Sequence, residues 1–149
     1  MTLTSASSRW CRSRLAGVSQ EDIDLVARVF TGMRNAGLDA LFDVLDPDIV
    51  WVTAEDEPEA GTFHGHEGVR HLRQQTLDSF EDFRLEPEEV LEVAGWVVVP
   101  ARAVVRGRTS GIETEFRETY AARVRDGLVV EVREYRTKEQ ALRALEAEP

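Results

Sequence analysis

Glu134 and Glu118 are the side chains of this sequence best placed to move a proton, because strand alternation carries each onto an otherwise apolar face. Residues 123–135 read Arg-Val-Arg-Asp-Gly-Leu-Val-Val-Glu-Val-Arg-Glu-Tyr, a hairpin in which Asp126-Gly127 supplies the positive φ of a tight turn. On the returning strand Leu128, Val130, Val132 and Glu134 share one face, and Val129, Glu131, Arg133 and Tyr135 the other. On the preceding strand Ile112, Thr114, Phe116, Glu118, Tyr120, Ala122 and Val124 alternate in the same way. If both faces line one cavity, the nearness of like charges leaves an acid beside a base, which is the arrangement general acid–base chemistry needs. The bland alternatives are a strand-end Glu134 that escapes to solvent or pairs with an arginine, and a Glu118 neutralised by Arg102 or Arg136.

Arg102 shares a strand face with Trp96, Val98 and Val104. That alternation predicts an inward cation able to hold Glu118, Glu134 or a ligand carboxylate. Trp51, Phe63, Trp96, Phe116 and Tyr120 are aromatic candidates for lining a ligand pocket, with simple core packing as the alternative for each. His64 and His66 flank Gly65 at the start of a helix, and His71 follows one turn further in. The 64/66/71 spacing offers no i,i+4 pair of the kind helical metal sites use, so no metal is expected; His64 or His66 instead caps the helix or borders a pocket mouth. Neither a Ser-His-Asp triad nor a phosphate-binding glycine loop nor a nucleotide fingerprint is present, and no cofactor is expected.

The elements that must position these groups follow from periodicity. Ser19 and Asp22 form a capping-box pattern, behind which Ile23, Val26, Phe30 and Met33 recur at helical spacing up to Asn35-Ala-Gly37. Leu38, Leu41, Phe42 and Leu45 predict a second, short helix that stops before Asp46-Pro47. Ile49–Val52 reads as a strand inside a sheet, apolar on both faces, and residues 53–65 read as a loop containing the acidic run Glu55–Glu59. Val69, Leu72, Thr76, Leu77 and Phe80 predict a third helix ending near Glu81-Asp82. Strands Leu85–Ala94, Trp96–Arg106, Ile112–Arg125 and Leu128–Arg136 then form an antiparallel meander, and a last helix runs over Lys138–Ala147. The order of helices, strand, helix and a run of strands implies an α+β layer.

Bulk properties narrow the function. With 149 residues the chain fits one domain; 42% hydrophobic and 31% charged residues describe a globular protein with no apolar run long enough to span a membrane. A formal charge of −10 disfavours nucleic acid as a partner. Cys11 is the only cysteine, which excludes an internal disulfide and fits a reducing, cytoplasmic setting. Lys138 is the sole lysine among many arginines, a hint of a GC-rich bacterial genome. Residues 1–18 hold Arg9, Arg12 and Arg14 and no acid. They read as a disordered tail ahead of a domain at 19–149.

In that order, Asn35-Ala-Gly37, Asp46-Pro-Asp48, Phe63-His-Gly-His-Glu-Gly-Val69 and Arg123–Tyr135 resemble the SnoaL-like group of the nuclear-transport-factor-2-like superfamily, relatives of polyketide cyclases, ketosteroid isomerase and limonene-epoxide hydrolase. The resemblance implies a cystatin-like roll: a cone-shaped, curved antiparallel sheet with helices on its concave side over an apolar pocket, and dimerisation through the sheet's outer face. It also implies a carboxylate near the end of the last strand, where Glu134 stands. The isomerase's oxyanion tyrosine falls on Phe30 and its basic aspartate at or near Val52, while the hydrolase's aspartate falls on Val104, so neither chemistry carries over. The expectation is a small apolar or amphipathic molecule in a pocket of several hundred Å³, acted on without a cofactor by an isomerase, cyclase or hydratase. The alternative is a non-catalytic ligand-binding or dimerisation module of the same fold. A homodimer is expected, because Val97, Val99, Ala101, Ala103 and Val105 make one side of a strand apolar while Trp96, Val98 and Val104 do the same for the other.

Overall fold

The computed structural model of the chain describes residues 18–31, 42–55 and 61–148, and among these it has three helices and seven strands. In chain order they are α1 (Gln20–Thr31), β1 (Leu45–Val52), β2 (Thr62–His64), α2 (Gly65–Ser79), β3 (Phe80–Pro87), β4 (Leu91–Val93), β5 (Trp96–Gly107), β6 (Glu113–Arg125), β7 (Leu128–Tyr135) and α3 (Lys138–Glu146). The strands form one curved, unclosed sheet in the order β2-β1-β7-β6-β5-β3, with β4 also paired to β5. All pairs are antiparallel except β1 with β7. The expected α+β architecture is present, with a mixed sheet in place of a purely antiparallel one. The tail at 1–17, the Asn35-Ala-Gly37 motif and the start of the second expected helix lie outside the described residues.

Local chemistry explains the elements. Ser19 Oγ accepts the Asp22 N–H at 3.1 Å and so caps α1, whose apolar stripe Ile23, Val26, Val29 and Phe30 is almost wholly buried. Leu45, expected to close a helix, instead opens β1, where it pairs with Val129 of β7. Paired with β7, Leu45 enters the main core at 2% exposure. The residues read as a loop contain the short strand β2, paired with Val50–Val52. Gly65 then turns the chain into α2 at φ +70, and a Cβ there would lie 3.1 Å from the Pro47 carbonyl oxygen. His64 occupies the N-cap position of α2 without a side-chain capping bond, while His66 Nε2 lies 2.8 Å from the Leu45 carbonyl oxygen. Neither caps the helix.

Two further boundaries differ from expectation. Phe80 is already extended, so β3 begins at the end of α2. The expected Leu85–Ala94 strand is interrupted where the Glu88 N–H bonds to the Pro100 carbonyl at 2.8 Å, and only Leu91–Val93 resumes pairing, as β4. The β6–β7 hairpin turns at Asp126-Gly127, both at positive φ, but a register shift follows between Arg123 and Val124. The bulge breaks the simple alternation. Val129 and Val132 both enter the main core, so Val129, and not Leu128 or Val130, joins the face of Val132 and Glu134.

The main core lies on the concave side, between α1 and the inward residues of β1, β5, β6 and β7. The opposite side is not bare. α3, capped by Thr137 Oγ1 accepting the Gln140 N–H, buries Ala141 and Leu145 against Trp96, Val98 and Ala121, which corrects the expectation that helices lie on the concave side alone. Further along β5, Val104 is 4% exposed beneath a ladder of ion pairs on β3, β5 and β6. Arg84 reaches Glu86 at 3.1 Å, Arg102 holds Glu86 and Glu115, Arg106 lies 3.7 Å from Glu113, and Arg117 lies 3.0 Å from Glu88. The long arginine stems shield the valine while their heads stay in water. The apolar outer stripe that motivated a homodimer is therefore covered within the chain.

Candidate functional site

Strand register fixes which groups can meet on the concave face. Across β5, β6 and β7, Val99 pairs with Tyr120 and Tyr120 with Glu134; one row away, Ala101 pairs with Glu118. In the other direction Val97, Ala122 and Val132 form a row that ends on Trp51 of β1. Glu118, Tyr120, Glu134 and Trp51 thus occupy one face on neighbouring strands. Phe30 of α1 packs against the two aromatic residues of this group, its ring 4.7 Å from that of Tyr120 and 6.4 Å from that of Trp51.

Each carboxylate is held by an aromatic donor. Trp51 Nε1–H donates to Glu134 Oε2 at 2.6 Å, and the Tyr120 hydroxyl donates to Glu118 Oε1 at 2.8 Å. Tyr120 and Glu118 are buried and Glu134 is half-buried. An indole or phenol donor orients a carboxylate and supports its charge while leaving it able to accept a proton. Arg136 Nη1 stands 3.9 Å from Glu118 Oε2, close to the neutralising role the sequence offered for it. Glu134, half-buried where Glu118 is buried, is the more accessible of the two carboxylates.

Arg102 is not part of this group. It lies on the outer face in the ion-pair ladder, bonded to Glu86 and Glu115. The β5 alternation had placed it correctly with Trp96, Val98 and Val104, but that face points away from both carboxylates. The same holds for Trp96, buried under α3 with the guanidinium groups of Arg123 and Arg133 at 4.8 and 4.6 Å from its ring. Phe63 and Phe116 are partly buried against the main core, Phe63 with its ring 6.2 Å from His71, and His64 is exposed. Among the described residues no group of three or more His, Cys, Asp or Glu side chains is placed to hold a metal ion.

Sequence reasoning missed Glu92. It pairs with Val97, which puts it on the concave side at 2% exposure, while its neighbours Leu91 and Val93 pack outward beneath α3. In sequence Glu92 stands between apolar Leu91 and Val93, the pattern of a half-buried strand whose polar residue faces solvent. Both sides of β4 are in fact covered, so the polar residue is buried as well.

A hollow of about 670 Å³ is bordered by Glu88, Glu89, Pro100, Ala101, Arg117, Glu118 and residues 136–139. It takes in Glu118 but not Glu134.

Residues 26–132 match the SnoaL-like domain. The chain belongs to that family. Solved structures similar to this SnoaL-like protein include a candidate SnoaL-like polyketide cyclase from Jannaschia sp. CCS1, 18% identical, covering 93% of this chain and 99% of that one with a TM-score of 0.68. TerC, co-crystallised with polyporic acid, is 21% identical over 86% of this chain and 99% of its own, with a TM-score of 0.69. AclR, a candidate hydroxylase from Streptomyces galilaeus, is 19% identical over 85% of this chain and 96% of its own, with a TM-score of 0.61. At these identities the likeness shows a common fold. No curated protein sequence matches. No described helix is long and apolar enough to cross a membrane.

Proposed function

We propose that this SnoaL-like protein holds a small apolar or amphipathic organic molecule against the concave face and exchanges a proton with it, Glu134 acting as the base without a cofactor. The observation that carries the reading is the pair of carboxylates on adjacent strands, Glu134 bonded to Trp51 at 2.6 Å and Glu118 to Tyr120 at 2.8 Å, with Phe30 packed against both aromatic donors. A ligand carbon acid lying on this surface gives its proton to Glu134. The Tyr120 hydroxyl, turned from Glu118 to the ligand, then donates to the oxygen on which negative charge develops, while Arg136 at 3.9 Å remains beside Glu118. The same Glu134 returns the proton to a different atom in an isomerisation or a cyclisation. The candidate polyketide cyclase and the polyporic acid complex among the similar structures support an organic ligand of this general kind.

The test is carbon-bound hydrogen exchange in D2O, followed by mass spectrometry, with a panel of enolisable apolar ketones headed by 2-tetralone. Wild-type protein should accelerate exchange above buffer for at least one ketone, and Glu134→Gln should abolish the acceleration while preserving the fold. Saturable binding of the panel without exchange would instead favour the non-catalytic ligand-binding module.

A further inference from the structure

We propose that the hollow at the start of α3 is a second ligand site, distinct in chemistry from the concave face, and that it takes a small zwitterion carrying a carboxylate and an ammonium group. Its walls come from three parts of the chain that ion pairs draw together. Glu88 meets Arg117 at 3.0 Å, Glu89 meets Lys138 Nζ at 2.9 Å, and Glu118 stands 3.9 Å from Arg136. Pro100 and Ala101 complete the lining in the middle of β5. The volume of about 670 Å³ falls within the range of small-molecule sites, but a lining so dominated by charge does not suit the apolar ligand expected on the concave face.

The class of ligand follows from how the charges are arranged. Three cations and four carboxylates border the hollow, six of them in opposite-charge pairs, so a ligand of one sign is attracted by part of the lining and repelled by the rest. A zwitterion engages both. Its carboxylate fits Arg117, Arg136 and the positive end of α3, whose first turn begins at Lys138; its ammonium fits Glu88 and Glu89. A sugar would also supply donors and acceptors, but no aromatic side chain borders the hollow for its apolar face. Inserting between the existing partners costs little. Arg117 and Glu88 are 71% and 39% exposed, and exposed pairs of this kind contribute only about 0–1 kcal/mol.

One wall is shared with the concave face. Glu118 borders the hollow and also accepts the Tyr120 hydroxyl, so an occupant that engages Arg136 acts on a residue of the concave site.

The experiment is an amide ¹H–¹⁵N titration of the full chain with 4-aminobutanoate, with butanoate and butylammonium as controls that each carry one of the two charges. The expected result is saturable shifts centred on Arg117, Glu118 and residues 137–139, with affinity at least about tenfold above either control, or roughly 1.4 kcal/mol. Arg117→Gln with Arg136→Gln should remove the saturable shifts while leaving the rest of the spectrum in place. Equal, non-saturating responses to all three probes, or shifts confined to other parts of the sheet, would overturn the proposal. Because no ketone or exchange assay is involved, this outcome is independent of the role of Glu134.

Discussion

The indole N–H of Trp51 donates to Glu134 across 83 positions of sequence, at 2.6 Å, and the parallel pairing of β1 with β7 makes the bond possible. Trp51 lies opposite Val132, so its side chain reaches diagonally to the next inward residue of β7. Replacing Trp51 with Phe keeps an aromatic ring in the core and removes the donor. The expected cost is about 1.5–3 kcal/mol, the range for a hydrogen bond to a charged group. Urea denaturation of Trp51→Phe and of Trp51→Phe/Glu134→Gln checks it: the second variant should recover part of the loss.

Tyr120 and Glu118 should behave as a coupled unit. Tyr120→Phe removes the donor to a carboxylate that is 5% exposed, and Glu118→Gln removes the charge that the hydroxyl serves. A double-mutant cycle by urea denaturation should give an interaction energy of about 0.5–3 kcal/mol, as for other contacting pairs. Strict additivity would mean that the Tyr120 hydroxyl finds an equally good partner elsewhere.

The parts of this site that lie on β6 were legible in the sequence, because Phe116, Glu118, Tyr120 and Ala122 alternate without interruption and the structure keeps them on one face. Glu134 was legible only partly: the bulge after Arg123 reshuffles Leu128–Val130, yet the residues beyond it fall back into step. The Trp51–Glu134 bond was not legible, since nothing local announces which distant strand joins β7. Arg102 and Trp96 share a further cause. Alternation sorts residues into two faces, but when both faces of a strand are apolar it does not say which is concave. That choice depends on α1 covering one face and α3 the other.

The C-terminal helix should matter out of proportion to its length. Leu145 is fully buried against Trp96, Val98 and Ala121, in a cluster separate from the main core. Leu145→Ala should cost about 2–5 kcal/mol, as for other buried leucines. Urea denaturation gives the number. Binding of an environment-sensitive dye should rise as well, because loosening α3 uncovers the Trp96 surface.

The ion-pair ladder gives a signed pH dependence. Hydrogen bonds from Arg102 and then Arg84 hold the Glu86 carboxyl below its ordinary value of 4.5. A depressed folded-state pKa contributes stability that is present above the unfolded value and lost as pH falls through the folded one. Wild type should therefore melt higher than Glu86→Gln above about pH 5, by an amount that shrinks on acidification below 4.5. Because Glu86 and Arg102 are well exposed, the difference should be small and should fall with added salt. A gap that persists unchanged at pH 2 would assign it to packing of the Glu86 stem instead.

Assembly is where the sequence and the structure lead to opposite tests. An apolar stripe along β5 predicted a homodimer through the sheet, and an apolar interface of that kind is indifferent to salt. In the structure α3 covers Trp96 and Val98, arginine stems cover Val104, and Ile112, at 64%, is the large apolar side chain left exposed among the described residues. Any homodimer through this face must therefore rest on the Arg–Glu ladder. A polar contact of that kind is screened by added ions. Sedimentation at micromolar concentration should then show mass moving toward the 16.8 kDa monomer as salt is raised from low ionic strength to about 1 M, where the screening length falls to roughly 3 Å. A dimer indifferent to salt would require an apolar interface away from the ladder, and a monomer under all conditions would mean that α3 and the ladder complete the outer face unaided.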